Sequence, residues 1–523
     1  MKSIYQLAKT AACLLSVFYI SSCKDLDENA PLNSEAPVKT GQTISEEAYP
    51  GEKGMMKKGS LLGTEISYQD INNQAVYQGD IILSPQQLGQ DSAKNARSSA
   101  TGIFKSDMRW PGGVVYYNIA SALAGNAQIT AAIAEIESKT SIRFVPRILQ
   151  PNYVTFTTGR GPSSSVGMIG GQQFITLGIG TTKGALLHEI GHTVGLLHEH
   201  TRVDRDKTIK INYANIYPGA LPNFKTYKAQ GVPGLDFKTL DAGSIMMLDS
   251  YTSSVNGQPT MTYLNGQPYW IQRSQLAPKD AECINAMYAT LYIMQSGKLY
   301  GIDKSLPRSA LISDMGIMGD AVTSDNGFVY SARDGMIVRY HKITGEAVGL
   351  TINMSNVKAM AMYAGSLYAV RDGYLLRINP INGFTTQVGE RVWFQTTAMT
   401  YINGFLFIVN ANNLFRVTPQ DGVFVSISDT NYTNVDELTA RNGKIWALRG
   451  TVMSAIDPMT GKSSEVPIKR LWSPLAQLTS LGSYLYVWDD GVLYRVSPAT
   501  GDLTTISTTW TDVKQLTAND YLD

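Results

Sequence analysis

The sequence predicts two folded parts in series, a domain built around a histidine-bearing helix and then an all-β six-bladed propeller. Three observations carry that expectation. Four of the five histidines fall within "HEIGHTVGLLHEH", residues 188–200. From residue 291 a two-strand pattern recurs six times at spacings of 38 to 40 residues. Ahead of both, the first 23 residues have the make-up of an export leader. A chain of 523 residues is too long for one core, and 43% hydrophobic against 17% charged residues suits folded domains in water. A net charge of +1, with no basic cluster interleaved with aromatics, offers no footprint for nucleic acid.

The leader, "MKSIYQLAKTAACLLSVFYISSC", carries Lys2 and Lys9 and then an apolar run over 11–20. That run is too short to span a bilayer, which takes about 20 apolar residues, and it matches the layout of an export signal. Its end, "ISSC", resembles the bacterial lipobox, which implies lipidation of Cys23 and an outer-membrane lipoprotein. The following "KDLDENAP" resembles the surface-export signal of some Gram-negative lipoproteins, so a cell-surface location is expected. Residues 24 to about 58 are polar and aperiodic and read as a tether. Of the three cysteines, Cys13 and Cys23 lie in the leader, so the mature fold has at most one buried thiol, Cys283, and no internal disulfide framework.

In "TKGALLHEIGHTVGLLHEH" an amphipathic helix places His188 and His192 four residues apart, on one face and one turn from each other. Leu186, Leu187, Ile190 and Val194 take packing positions. Gly195 lets the helix end in a left-handed residue, so that the chain turns and His198 returns to the same point. Three imidazoles and an open fourth position are the donor set of a catalytic zinc site. Glu189 follows the first ligand, where a carboxylate can take a proton from the attacking water and pass it to a leaving amine.

The whole His-Glu-x-x-His-x-x-Gly-x-x-His pattern is the metzincin signature, and its flanks resemble the astacin family of zinc endopeptidases. "HEHTRVDRDKTIKINYANI" has that family's glutamate after the third histidine and its Arg-x-Asp-Arg-Asp run. "WPGGVVYYNI" resembles the first strand of the catalytic domain, "GGQQFITLG" its cleft-edge strand and "LAPKDAECINAMY" its last helix. The resemblance implies an α+β metzincin fold over 98–288 and one catalytic zinc on His188, His192 and His198. It also implies Glu189 as general base and acid, Glu199 as an anchor for the N-terminus freed on activation, and Met246 in the turn beneath the metal. One position departs. Where the family has a tyrosine that stabilises the oxyanion, this chain has Leu248, and loss of such a donor costs roughly 10²–10³ in rate. Tyr251, three residues on, is the candidate replacement.

Upstream, Tyr77-Gln78-Gly79-Asp80 resembles the Phe-x-Gly-Asp motif of astacin pro-segments, which implies that Asp80 occupies the open zinc position in a zymogen. A carboxylate is a good zinc ligand, and Gly79 allows close approach of the backbone. The polar stretch 94–100 is a plausible activation cleavage region. Tether and pro-segment together are expected over 24–97.

Residues 289–523 are the expected propeller. The repeats align apolar residues at Ile302, Tyr340, Ile378, Val417, Ile456 and Val496, and the spare strand "VKQLTAND" is free to complete the first blade. Trp393, Trp446, Trp472 and Trp488 read as blade core. The resulting expectation is a surface zinc endopeptidase acting on a protein or peptide substrate. The alternative is an adhesin or receptor whose propeller binds an unknown protein or glycan, with the peptidase-like domain kept as an attenuated zinc-bound scaffold.

Overall fold

The computed structural model describes residues 47–88 except 62 and 63, 108–304 except 233, and 309–518 except 315–318, 320, 326, 334, 429, 430 and 469. The leader, Cys23, most of the tether and the region 94–100 lie outside the described residues. Among those described, no helix is long and apolar enough to cross a membrane.

The first described segment is folded rather than a plain tether and plug. Strands β1 (Met55–Leu61), β2 (Thr64–Ile71), β3 (Gln74–Tyr77) and β4 (Ile81–Leu83) form an antiparallel sheet in chain order, followed by the single turn α1 (Pro85–Leu88). The expected tether to about residue 58 therefore overlaps β1. The first four residues of β1 are all exposed, so the strand carries no alternating apolar signal to be read. The sheet shares its core with the domain beyond it. Leu61, Ile66, Tyr77, Ile81 and Leu83 pack with Met108, Val166, Tyr227 and Val232.

The next strands, β5 (Val114–Ile119), β6 (Arg143–Pro146), β7 (Tyr153–Thr158) and β8 (Gln172–Leu177), make a parallel sheet of order β6-β5-β7-β8. Helix α2 (Ala127–Lys139) crosses from β5 to β6. It starts at Asn126, whose side chain accepts from the amides of Gln128 and Ile129, and it buries Ile129, Ala132 and Ile136 against the sheet. Helix α3 (Lys183–Thr193) packs against α2. Beyond α3 the chain forms a lower lobe with little regular structure, pinned by the pair β9 (Ile209–Ile211) and β10 (Met261–Tyr263) over a separate apolar cluster.

Helix α4 (Pro278–Tyr288) ends the domain and leads almost directly into the next strand at Leu291. Met287, Tyr288 and Ala289 share one core with Tyr292, Leu299, Ile312 and Tyr340, so the two regions meet through packed side chains. Cys283 is partly buried on α4, and burial pushes its thiol up to about 12, far from a reactive thiolate.

From 291 the chain is all-β, with six four-stranded antiparallel sheets in succession. In the first, the last described strand, Val513–Ala518, pairs with Leu291–Gln295. The six aligned residues, Ile302 to Val496, all fall in the third strand of their sheets, counted from the channel, and are at most 2% exposed. The innermost strands touch in a cycle, each against the next and Val513–Ala518 against both Gln477–Leu481 and Ala321–Ser324. They enclose a channel of about 240 Å³. Trp393, Trp446, Trp472 and Trp488 are buried.

Candidate metal centre

Helix α3 is built to be immersed. Thr182 caps its start, its side chain accepting from the Ala185 amide, and every residue from Gly184 to Thr193 is buried. Its end is a Schellman turn, with Gly195 in the left-handed region at φ 108, its amide bonding to the His192 carbonyl and the Leu196 amide to that of Gly191. The exposed carbonyls of Thr193 and Val194 are taken by the Trp110 indole at 2.9 Å and the Tyr288 hydroxyl at 3.1 Å. That turn brings His198 back over the helix.

His188, His192 and His198 present their Nε2 atoms to one point. Nε2 of His198 lies 3.2 Å from that of His188 and 3.3 Å from that of His192. Asp80 Oδ2 lies 3.1 Å from the first and third rings and 3.8 Å from the second. Four donors each about 2.0–2.1 Å from a tetrahedral zinc would stand ~3.3 Å apart, which is the spacing found. The opposite ring nitrogens face acceptors. Nδ1 of His188 meets the Ile245 carbonyl at 2.8 Å, that of His192 the Leu196 carbonyl at 2.8 Å, and that of His198 the Gln78 side-chain oxygen at 2.9 Å. A proton held on each Nδ1 leaves each Nε2 lone pair to a metal. Asp80 Oδ1 is buried with no hydrogen-bond partner among the described residues, which is compatible with a carboxylate whose charge is met by a cation at the centre. The donor set fits one zinc ion.

Electrostatics agree. Burial opposes ionisation of Asp80, but the surrounding imidazoles, His198 foremost, hold its carboxyl well below the usual range. Burial drives His192 down to about 4, keeping it in the neutral form a ligand must have.

The other predicted residues are placed as follows. Glu189 is fully buried beside His188. Met246 lies under the helix, where a Cβ on Gly191 would come within 2.5 Å of its sulfur, and its carbonyl accepts from the Glu199 amide. Glu199 accepts from the Asp241 amide at 2.8 Å and stands 3.6 Å from Arg202; burial raises its carboxyl to about 7. It lines a cavity of about 50 Å³ with Arg202, Asp241, Met246 and Asp280. Leu248 is buried in the lower-lobe cluster with Ile209, Phe224 and Met247. The Tyr251 ring lies against Trp270, with centroids 6.2 Å apart.

Three features escaped the sequence reading. The first is Gln78, whose partner is 120 residues away. The second is Asp280 in the first turn of α4, which takes hydrogen bonds from Ser244, Ile245 and Ala277 and so holds the turn carrying Met246. An acid just inside a Pro-led helix start was its available signal. The third is the cleft edge itself. "GGQQFITLG" forms β8, but the outer side of β8 is already occupied, because Ser163 and Thr176 exchange main-chain hydrogen bonds. The segment outside it, around Ser164, is the rim, and the pro-segment covers it. There the Ile82 amide bonds to the Ser164 carbonyl at 2.9 Å and the Ser164 amide to the Asp80 carbonyl at 3.1 Å, a parallel bridge.

Residues 103–289 match the family model described as Astacin (Peptidase family M12A). Zinc metalloproteinase nas-14 of Caenorhabditis elegans is 29% identical over 268 residues, 47% of this chain and 52% of that protein. Zinc metalloproteinase nas-4 of the same organism is 31% identical over 218 residues, 40% of this chain and 68% of that protein. Among solved structures, high choriolytic enzyme 1, a hatching enzyme zinc-protease from Oryzias latipes, is 29% identical, with a TM-score of 0.33; the match covers 37% of this chain and 98% of that one. The chain spans about half or less of the length of the first curated relatives it matches.

Proposed function

Because the chain belongs to the astacin family, peptidase family M12A, we propose that it is a zinc-dependent endopeptidase held latent by Asp80. The observation that carries this reading is the convergence of three Nε2 atoms and one carboxylate oxygen, with every Nδ1 tied to an acceptor. Bound there, zinc supplies a Lewis acid that polarises the scissile carbonyl and acidifies water. His188, His192 and His198 hold it, and Glu189 moves the proton from the attacking water to the leaving amine. A substrate strand would add to the rim around Ser164, where residues 80–82 now bond. Removal of the pro-segment would vacate that rim and the fourth ligand position together. Met246 would support the ligand helix from below, and Glu199, which lines a small cavity, would anchor the freed N-terminus. The catalytic domain is taken as 98–288 and the tether and pro-segment as 24–97.

For 289–523 the proposal is a six-bladed propeller closed by the last strand, supported by the cycle of innermost strands around one channel. Its ligand, protein or glycan, would be docked rather than cleaved. The leader, 1–23, supports export and a lipid anchor at Cys23, hence an outer-membrane, surface-exposed protein.

Leu248 favours a second reading, in which the zinc site is an attenuated scaffold within a binding protein. Buried in the lower-lobe cluster, it offers no hydroxyl to an oxyanion. The test is hydrolysis of a mixed denatured protein substrate by the chain cut with trypsin in the 94–100 region, beside the uncut chain and cut Glu189→Ala. Cleavage by the cut wild type alone supports the peptidase and its latency. Stoichiometric zinc with no cleavage selects the binding protein.

A further inference from the structure

The three imidazoles are not supported alike. His188 and His192 rest their Nδ1 atoms on main-chain carbonyls of the catalytic domain, Ile245 and Leu196. His198 rests its Nδ1 on Oε1 of Gln78, a side chain of the pro-segment, 2.9 Å away. Gln78 is buried, and its backbone sits in the left-handed region at φ 53, an unfavourable conformation for a non-glycine residue. Its Nε2 lies 3.5 Å from Oε1 of Gln230, and the Tyr77 hydroxyl donates to the same oxygen. Gln230, in the lower lobe, thus fixes the direction in which the Gln78 amide points, with its oxygen towards His198.

We infer that Gln78 is a positioning residue for the metal. It accepts the Nδ1 proton of His198, holds the ring with its Nε2 lone pair facing the centre, and makes the pro-segment part of the site's support as well as its plug. The inference rests on the zinc reading above. Its consequence is that the latent chain retains zinc through two contacts from the removable segment, Asp80 as a ligand and Gln78 behind a ligand. Loss of an acceptor behind a metal-bound histidine typically costs about 10–100-fold in metal affinity.

The test uses the full uncut chain, loaded with one equivalent of zinc, as wild type, Gln78→Leu, Gln78→Asn and Gln78→Glu. Zinc transfer to an excess of a chromogenic chelator is timed, with thermal melting as the check on folding. Leucine lacks the acceptor, and asparagine keeps the polarity but is one methylene short. Both are expected to release zinc roughly 10–100-fold faster. Glutamate restores an acceptor at the right length and is expected to stay near wild type. If leucine does not fold, the asparagine and glutamate pair decides. Wild-type release rates in leucine and asparagine, or glutamate as fast as asparagine, overturn the role of Gln78 while leaving the zinc site standing. A folded wild type that binds no zinc overturns the reading beneath it.

Discussion

In residues 108–288 buried polar groups converge, whereas in 291–518 they are dispersed. His188, His192 and His198 crowd one point with Asp80, Glu189 is buried next to His188 in the helix, and Asp280 and Glu199 brace the turn beside them. In the six sheets the buried polar side chains, such as Ser331, Asn410, Ser454, Asp489 and Ser507, are spread unevenly over the sheets, and among the described residues they form no cluster of metal-ligating groups. Stability there comes from apolar clusters repeated between neighbouring sheets, for example Tyr368 and Val370 with Trp393 and Leu406. The contrast teaches that a site whose side chains converge on one point depends on each of them. A repeated core loses stability in increments.

The sharpest way to break that comparison is Glu189→Ala. It should lower peptide hydrolysis by the cut chain by about 10²–10⁴ while zinc content and melting stay unchanged. A loss below tenfold would show that the convergent site does not depend on its carboxylate. Next, Asp80→Ala in the uncut chain should turn background hydrolysis into a measurable fraction of the cut enzyme's rate. Continued silence would place latency elsewhere in the pro-segment, for instance in the rim contacts of Ile82 and Ser164.

In the sheets the expected effects are on stability alone. Gly461 has φ +72, and a Cβ there would lie 1.5 Å from the Ile427 carbonyl oxygen, so Gly461→Ala must move main chain. A cost on the order of 3 kcal/mol would lower the melting temperature by roughly 6–12 °C, with zinc retained. Gly443, also at φ +72 but with open space around it, should lose only about a third of that on the same substitution. Equal losses at the two glycines would mean that backbone conformation, not crowding, limits the repeat.

The smallest effect concerns Glu437 on the channel wall. Burial, with Asp436 beside it, raises its carboxyl to about 8. Between the ordinary glutamate range near 4.3 and that value, the unfolded chain releases a proton that the folded chain keeps, so stability falls as pH rises through this window. Glu437→Gln should therefore raise the melting temperature by about 2–4 °C at pH 8 and leave it unchanged at pH 4, the gain being limited by channel water. A gain at pH 4 as well would remove ionisation as the cause.

How much was legible depended on the range of the contacts. The ligand trio was readable because four- and six-residue spacings on a helix and its terminal turn are local geometry. The six repeats were readable because each strand pair lies next to itself in sequence. The strand β1 was not, because its first four residues are all exposed and only Leu61 at its end is buried, so it shows no period. The rim outside β8 was not, because "GPSSSVG" carries no strand pattern and pairs through isolated bridges and serine hydroxyl contacts to distant residues.

The sequence by itself determined the donors, their order along the chain and the family they belong to, since backbone periodicity and the conformational freedom of Gly195 act over a few residues. Only the tertiary structure decided what stands behind those donors. The carbonyl of Ile245, the amide of Gln78 and the carboxylate of Asp280 reach the site across 35 to 120 residues. Such contacts are fixed by how separate elements pack around one buried point, and no local pattern encodes that packing.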